Sequence, residues 1–131
     1  MRLLLDTHIL LWVLGAPDRL SPSLRDDLTD PANRIMFSTA SIWEIAIKAS
    51  LRKADFTARP EIVAREALAR GFTELHISWR AAAGVADLPH LHRDPFDRIL
   101  VAQALAEPVH LLTADRKLLP YSDMVRMADV R

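Results

Sequence analysis

Residues 1–15 read MRLLLDTHILLWVLG: a short apolar run, then Asp6 and His8, then a second apolar run. The first run, residues 2–5, is too short for a typical helix and ends at an acid, which is typical of a strand buried in a parallel sheet. Residues 8–14 follow with a helical pattern. This stretch therefore predicts a strand that turns directly into a helix, which is the repeating unit of an α/β fold.

The rest of the chain repeats this alternation of strands and helices. Short apolar runs at residues 35–37, 74–77, 109–112 and, weakly, 124–127 predict four further strands. Helical patterns cover residues 21–28, 41–53, 60–70, 79–86 and 95–106. Strands connected through helices imply a parallel sheet covered on both faces. We expect a three-layer α/β/α sandwich with a mainly parallel, roughly five-stranded sheet, formed by a single domain over residues 1–131.

The composition excludes several classes of protein. The 131 residues include no cysteine, which excludes a disulfide scaffold, a thiolate metal site and a cysteine nucleophile. Seventeen basic and 17 acidic side chains balance, so any affinity for nucleic acid has to come from a local patch or a bound metal. The three glycines form neither a dinucleotide fingerprint nor a phosphate loop. The N-terminal segment has no signal-peptide core and is too short to span a bilayer, so we expect a soluble, cytoplasmic protein without membrane contact.

Acidic residues lie close to the predicted strand ends in four separate parts of the chain. Asp6 ends the first strand, Glu44 follows the second, Asp97 lies in the helix before the fourth, and Asp115 ends the fourth. Because ligands of parallel α/β sheets bind beyond the carboxyl ends of the strands, we expect these carboxylates at one edge of the sheet. Clustered carboxylates repel each other, and a hard divalent cation such as Mg²⁺ or Mn²⁺ relieves that repulsion.

Helix capping is a simpler explanation for most of these acids taken one at a time. Residues 41–44 (SIWE) have the form of a capping box, Asp94 precedes a helix that begins with proline, and Asp115 can cap a short helix. Asp6 differs, because it follows three leucines of a predicted central strand and precedes no strong cap signal. A carboxylate there is costly unless it is paired or metal-bound. Capping explains single carboxylates, whereas a shared site explains why all four lie at one edge.

Four blocks of sequence span most of the chain: LLLDTHILLW (residues 3–12), SIWEIAIK (41–48), HRDPFDRILVAQA (92–104) and HLLTADRKL (110–118). Together they resemble the signature blocks of the PIN domain, in the VapC-type toxin family of bacterial toxin–antitoxin pairs, in the order and spacing of that family. The resemblance implies a metal-dependent endoribonuclease that hydrolyses RNA phosphodiester bonds, with a parallel sheet between layers of helices.

The resemblance also implies the residues of the site. By the match of motifs, Asp6, Glu44 and Asp97 would be the core catalytic ligands of Mg²⁺ or Mn²⁺. Asp115 would be the fourth acidic position, which in this family is often a weaker or second-metal ligand. Asp94 lies three residues before the matching acid and is better explained as a cap. The implied partners are RNA as substrate, a small cognate antitoxin that covers the acidic groove, and a second copy of the chain in a homodimer.

Several residues beside these acids invite a role. The hydroxyls of Thr7 and Thr113 can orient a carboxylate or a water, or merely satisfy a turn. Lys48 and Arg98 can face RNA, or pair on the surface with the acids beside them. His92 is assigned to a loop and shows no ligand spacing. Packing in the core or in an interface, rather than base stacking, is expected for the three tryptophans, Trp12, Trp43 and Trp79.

Two other classes of function remain open. A haloacid-dehalogenase-type phosphatase also opens with a strand that ends in aspartate, but it usually needs a second aspartate where this chain has His8. A non-catalytic binding module would use its acids only as helix caps. Replacing Asp6 and Asp97 together would then reduce the stability of the fold and not only an activity.

Overall fold

Five strands form one sheet in the computed structural model, which describes all residues 1–131. The strands are β1 (Arg2–Leu5), β2 (Arg34–Ser38), β3 (Thr73–Leu75), β4 (His110–Thr113) and β5 (Val125–Met127). Their order across the sheet is β3-β2-β1-β4-β5, and every neighbouring pair is parallel. The expected α/β sandwich with a five-stranded parallel sheet is therefore confirmed.

Helices connect the strands and cover both faces of the sheet. They are α1 (Thr7–Gly15), α2 (Pro22–Thr29), α3 (Thr39–Ser50), α4 (Pro60–Ala69), α5 (Trp79–Gly84) and α6 (Pro95–Ala106), with short 3-10 helices at Pro17–Arg19, Val85–Asp87 and Arg116–Tyr121. The sequence predicted all six α-helices, but it placed α3 at residues 41–53, later than the structure does. None of the helices combines the length and the hydrophobicity that crossing a bilayer requires.

The central strand β1 divides its leucines between two apolar layers. Leu3 and Leu5 belong to the layer that contains Ile9 of α1, whereas Leu4 belongs to the opposite layer with Leu100 of α6. All three strand leucines are buried. Successive side chains of a strand point to opposite faces, so a strand covered on both faces needs apolar residues at every position. This requirement explains the uninterrupted run of leucines.

The order of the strands places the switch point of the sheet at the carboxyl ends of β1 and β4. The chain runs outward from β1 through β2 to β3, and then crosses to β4 and β5 on the other side of β1. After β1 the chain enters α1 on one face, and after β4 it enters the 3-10 helix at Arg116–Tyr121 on the other face. Open α/β sheets bind ligands at such a switch point, so the topology positions a candidate site there.

Candidate metal centre

Asp6 lies between β1 and α1, where the backbone leaves the sheet. Its Oδ1 accepts a hydrogen bond from the Ile9 N–H at 2.8 Å, and its Oδ2 accepts one from the Thr113 hydroxyl. Asp6 therefore caps α1, contrary to the expectation that no strong cap begins here. Burial raises the pKa of Asp6, although the hydrogen bonds from Thr113 and Ile9 oppose that rise. Only 3% of the residue is exposed, so its charged form is costly without a cation.

Glu44 lies in the interior of α3 and does not cap that helix. The cap is the Ser38 hydroxyl, which accepts a hydrogen bond from the Ala40 N–H at 2.9 Å. The predicted capping box at residues 41–44 is therefore wrong, because the helix begins before it. Glu44 is 5% exposed, and its Oε2 pairs with the Nζ of Lys48, one turn later, at 2.9 Å. The capping explanation fails for this acid.

Asp97 lies in the first turn of α6, and Asp94 caps that helix as predicted. The Oδ1 of Asp94 accepts hydrogen bonds from the N–H groups of Phe96 and Asp97, at 2.9 and 3.4 Å. Burial raises the pKa of Asp97 to about 7, and the negative charges of Asp94 and Asp6 add to this rise. The charge of Glu44 acts in the same direction. Asp97 therefore lies in a negative electrostatic potential, to which the predicted site acids Asp6 and Glu44 contribute.

Asp115 caps the 3-10 helix that follows β4, as its capping interpretation predicts. Its Oδ1 accepts a hydrogen bond from the Lys117 N–H at 2.9 Å, and its Oδ2 lies 3.1 Å from the Nε2 of His92. Burial acts to raise the pKa of Asp115, but hydrogen bonds from Lys117 and His92 outweigh it, and the pKa lies below its ordinary value. Asp115 is therefore a stably ionised acid at the rim of the site.

His92 lies between Asp97 and Asp115, and the sequence did not predict these contacts. Its Nε2 lies 3.1 Å from Oδ2 of Asp115 and 3.5 Å from Oδ2 of Asp97, and single ligand atoms of the three residues all lie within 4.8 Å of one another. The loop assignment is right, but no ligand spacing marks His92 because its partners lie on separate elements. Asp6 and Glu44 do not belong to this compact group.

Three residues near the acids, Thr7, Thr113 and Lys48, either bond to an acid or connect the helices that carry the acids. The Thr7 hydroxyl donates to the Ser41 hydroxyl at 2.9 Å and so connects α1 to α3. The Thr113 hydroxyl donates to Oδ2 of Asp6 and also accepts from the Asp115 N–H, so both the carboxylate contact and the turn contact predicted for it are present. Lys48 pairs with Glu44, which is the pairing alternative predicted for it.

Arg98 is buried, and this corrects the expectation that it faces RNA or pairs with a surface acid. Only 8% of the residue is exposed. Its guanidinium donates hydrogen bonds to the Pro89 carbonyl at 2.8 Å and to the Tyr121 hydroxyl at 3.1 Å. Although Arg98 follows Asp97 in sequence, neighbouring residues of a helix point about 100° apart. Arg98 therefore faces the core side of α6.

Two tryptophans are exposed, so the core alternative is wrong for them, whereas packing in an interface stays a prediction. Trp43 is 61% and Trp79 is 73% exposed, and only Trp12 packs partly against the core. The Trp43 ring instead makes an edge-to-face contact with Phe96, with 5.2 Å between the ring centroids. Trp43 lies on α3 and Phe96 on α6, so the aromatic pair connects the two helices that carry Glu44 and Asp97.

The buried acids offer oxygen ligands of the kind that a hard divalent cation takes. Asp6 and Glu44 are almost fully buried, and both raise the pKa of Asp97 through their charges. The ammonium of Lys48 is the one lysine or arginine group within ion-pair distance of these three carboxylates. Excess negative charge on these three carboxylates suits Mg²⁺ or Mn²⁺, so their oxygens fit such a cation.

Solved structures with the same fold cover nearly the whole chain. VapBC2 from Rickettsia felis, bound to a DNA fragment from its promoter, matches with a TM-score of 0.70, 16% identity and 100% of both chains covered. DNA-bound VapBC from Salmonella typhimurium matches with a TM-score of 0.70, 17% identity and 98% of each chain covered. VapBC-1 from nontypeable Haemophilus influenzae matches with a TM-score of 0.67, 17% identity and 98% of each chain covered. At these identities the likeness shows a shared fold.

Comparison with curated proteins found no match. Comparison with protein-family profiles agrees with the structural likeness. The family profile of the PIN domain matches residues 3–122, a range that runs from β1 to the 3-10 helix after β4 and contains all four acids of the candidate site. The chain therefore belongs to the PIN domain family.

Proposed function

We propose that this protein is a divalent-cation-dependent endoribonuclease that hydrolyses phosphodiester bonds of RNA. PIN domains are a family of nucleases, and the chain belongs to that family. The observation that carries the proposal is the set of acids Asp6, Glu44 and Asp97, of which the first two are buried and the third is partly buried and coupled to both through its pKa. Two of them are at most 5% exposed, and the third has a pKa raised to about 7. Such a set is costly in a fold unless it binds a cation.

Each acid has a role that its contacts favour. Asp6, Glu44 and Asp97 would hold Mg²⁺ or Mn²⁺, and Asp115 is the fourth acidic position of the proposed site. When bound, such a cation lowers the pKa of a water ligand and neutralises charge on the attacked phosphate. The hydrogen bond from Thr113 fixes Oδ2 of Asp6, so one ligand is oriented by the chain itself.

We also propose that the protein is the toxin of a toxin–antitoxin pair and that a small antitoxin protein binds it. The three structural relatives described above are VapBC complexes. An apolar ridge on α3 suits a protein partner, because Trp43, Ile47 and Leu51 recur every fourth residue and are 61%, 38% and 60% exposed. The ridge begins at Trp43, whose ring contacts Phe96 of α6, so a partner bound to it would lie close to the helix that carries Asp97. A homodimer, which the family resemblance implies, is part of this proposal.

The two alternative functions have less support. Membership of the PIN domain family gives no support to a haloacid-dehalogenase-type phosphatase, and exposed His8 stands where that chemistry needs a second aspartate. A non-catalytic module would need its acids as caps. Capping accounts for Asp6 and Asp115, but neither Glu44 nor Asp97 caps a helix.

Cleavage of a defined RNA panel tests the proposal. The panel contains a transfer RNA, a ribosomal RNA fragment and a messenger RNA, each incubated with Mg²⁺, Mn²⁺ or EDTA. We expect cleavage only with a cation, and products with 5′-phosphate ends, because attack by water on phosphorus expels the 3′ oxygen. Asp97→Asn should abolish cleavage, whereas Asp26→Asn, the same change at an exposed acid of α2, should leave it unchanged. Cleavage in EDTA or by Asp97→Asn, or no cleavage of any RNA, would contradict the proposal.

A further inference from the structure

We propose that His92 is a positioning residue of the acidic site and not a metal ligand: its Nε2–H donates a hydrogen bond to Asp115 and lies against the carboxylate of Asp97. The inference rests on the proposed function, because its consequence is a carboxylate oriented for a cation. Three contacts of the imidazole carry it: two to carboxylate oxygens and one to a backbone N–H.

The backbone contact determines which nitrogen of His92 carries the proton. The N–H of Asp94 donates a hydrogen bond to Nδ1 at 3.0 Å, and this requires a lone pair on Nδ1. A neutral imidazole carries its single proton on the other nitrogen, so the proton lies on Nε2. Nε2 is the atom next to Oδ2 of Asp115 and Oδ2 of Asp97, at 3.1 and 3.5 Å. The Nε2–H therefore donates a hydrogen bond to Asp115, and its positive end faces the carboxylate of Asp97 at the longer distance.

The same contact opposes coordination of a cation by His92. A cation at Nε2 needs a lone pair on that atom, so the proton of a neutral ring would have to move to Nδ1. An Nδ1–H would then face the N–H of Asp94, and two donors would oppose each other over a distance of 3.0 Å. Coordination would therefore break a hydrogen bond at the start of α6.

Asp115 and Asp97 differ in whether both of their carboxylate oxygens already have a partner. Both oxygens of Asp115 are engaged, since Oδ1 accepts from the Lys117 N–H and Oδ2 from His92. Asp97 has its Oδ2 near His92, and its Oδ1 accepts no hydrogen bond. Asp115 thus anchors the imidazole, and the imidazole in turn orients Asp97 with one oxygen available to a cation.

Arg98 fixes the loop that carries His92. Its guanidinium donates to the carbonyl oxygens of Pro89 and Val85, at 2.8 and 3.2 Å, and to the Tyr121 hydroxyl at 3.1 Å. These bonds attach the loop before His92 to α6, the helix that carries Asp97. The His92 side chain is only 16% exposed, so packing also restricts the ring. The position of the imidazole is therefore set by the fold.

Calorimetric titration with Mg²⁺ and with Mn²⁺ tests the proposal on wild type, His92→Ala, His92→Gln and His90→Ala. His90 is an exposed histidine of the same loop and serves as the matched control. We expect His92→Ala to weaken binding of both ions by a similar factor, about tenfold or more. His92→Gln keeps an N–H donor and should recover much of the affinity. His90→Ala should bind like wild type, and thermal unfolding in EDTA establishes that each variant is folded.

Two results would overturn the proposal while leaving the proposed function intact. A loss confined to Mn²⁺, which accepts imidazole more readily than Mg²⁺ does, would make His92 a ligand. Unchanged affinity of folded His92→Ala for both ions would show that His92 positions nothing. If wild type binds neither ion, the proposed function and this inference fail together.

Nitrogen NMR of wild type gives a readout that needs no variant. In long-range ¹H–¹⁵N spectra at pH 8, we expect His92 to show a protonated Nε2 and an unprotonated Nδ1, both without metal and with Mg²⁺. A proton on Nδ1 in either state would overturn the proposal, even if His92→Ala does not fold.

Discussion

Thr113, the last residue of β4, donates a hydrogen bond from its hydroxyl to Oδ2 of Asp6, which lies 107 positions earlier at the end of β1. The same hydroxyl accepts a hydrogen bond from the Asp115 N–H at 3.0 Å, so one fully buried side chain connects two acids of the proposed site. β1 and β4 are neighbours at the switch point of the sheet. The order of the strands, rather than the local sequence, therefore brings these residues together.

Thr113→Val should weaken cation binding while retaining the fold. The hydrogen bond from Thr113 opposes the effect of burial on the pKa of Asp6, so its loss should raise that pKa and favour the protonated acid. We expect the Kd for Mg²⁺ at pH 7 to rise about tenfold and the free energy of unfolding to fall by about 1 kcal/mol. Thr113→Ser keeps the hydroxyl and should bind like wild type. Equal Mg²⁺ affinity of Thr113→Val and wild type would contradict this role.

Lys48→Met should raise cation affinity and destabilise the metal-free protein. The ammonium of Lys48 is the ion-pair partner of buried Glu44, and it competes with a cation for Oε2. Without it, a buried charge is left unpaired. We expect a lower midpoint of thermal unfolding in EDTA and a lower Kd for Mg²⁺ by calorimetry. Lys53→Met, at an exposed lysine, is the control. A higher Kd in Lys48→Met would show that the ammonium supports cation binding instead.

Arg98→Ala should destabilise the fold strongly, whereas Arg93→Ala, at an exposed position of the same sequence block, should not. Removal of the guanidinium deletes its hydrogen bonds to the Pro89 and Val85 carbonyls and to the Tyr121 hydroxyl, although backbone N–H groups still reach both carbonyls. Hydrogen bonds to charged groups contribute roughly 1.5–3 kcal/mol each, so we expect the free energy of unfolding in urea to fall by about 2–4 kcal/mol. Arg93→Ala should change it by less than about 0.5 kcal/mol. Wild-type stability of Arg98→Ala together with weaker RNA binding would restore the interpretation that Arg98 faces RNA.

Asp97 should make the metal-free protein less stable as pH rises. Burial is the main cause that raises its pKa in the fold to about 7, against about 4 in the unfolded chain. The folded protein then keeps a proton that the unfolded chain releases. This stabilisation is complete below about pH 4 and is lost as pH rises through about 7. In EDTA, the midpoint of thermal unfolding of wild type should therefore fall relative to that of Asp97→Asn between pH 5 and pH 8. A difference that stays constant over this range would refute the raised pKa.

The sequence predicted the sheet and its helices because each element carries a local signal. The leucines of β1 reflect burial on both faces. Asp94 followed by Pro95 marks the start of α6, where a cap and a fixed backbone angle coincide. The expectation that the acids lie together follows from the fold, because parallel strands bring their carboxyl ends to one edge, and it stays a prediction for the full set. The electrostatic coupling of Asp97 to Asp6 agrees with that expectation.

Tertiary contacts decided what the sequence alone could not predict. The capping box at residues 41–44 is overridden because Ser38, at the end of β2, already caps the helix. Arginine is usually a surface residue. Here the segment before α6 folds over Arg98 and supplies carbonyl acceptors for its guanidinium. The contacts of His92 depend on where β4 lies in the sheet, because that strand delivers Asp115.

The central claim is that Asp6, Glu44 and Asp97 hold a divalent cation, and anomalous diffraction from crystals soaked in Mn²⁺ tests it most directly. We predict an anomalous peak at roughly 2.0–2.6 Å from a carboxylate oxygen of at least two of these acids, with Nε2 of His92 outside the coordination sphere. The peak should be absent in Asp97→Asn. A peak bound by His92 and Asp115 without Asp6 and Glu44, or no peak at the acidic site at saturating Mn²⁺, would contradict the account.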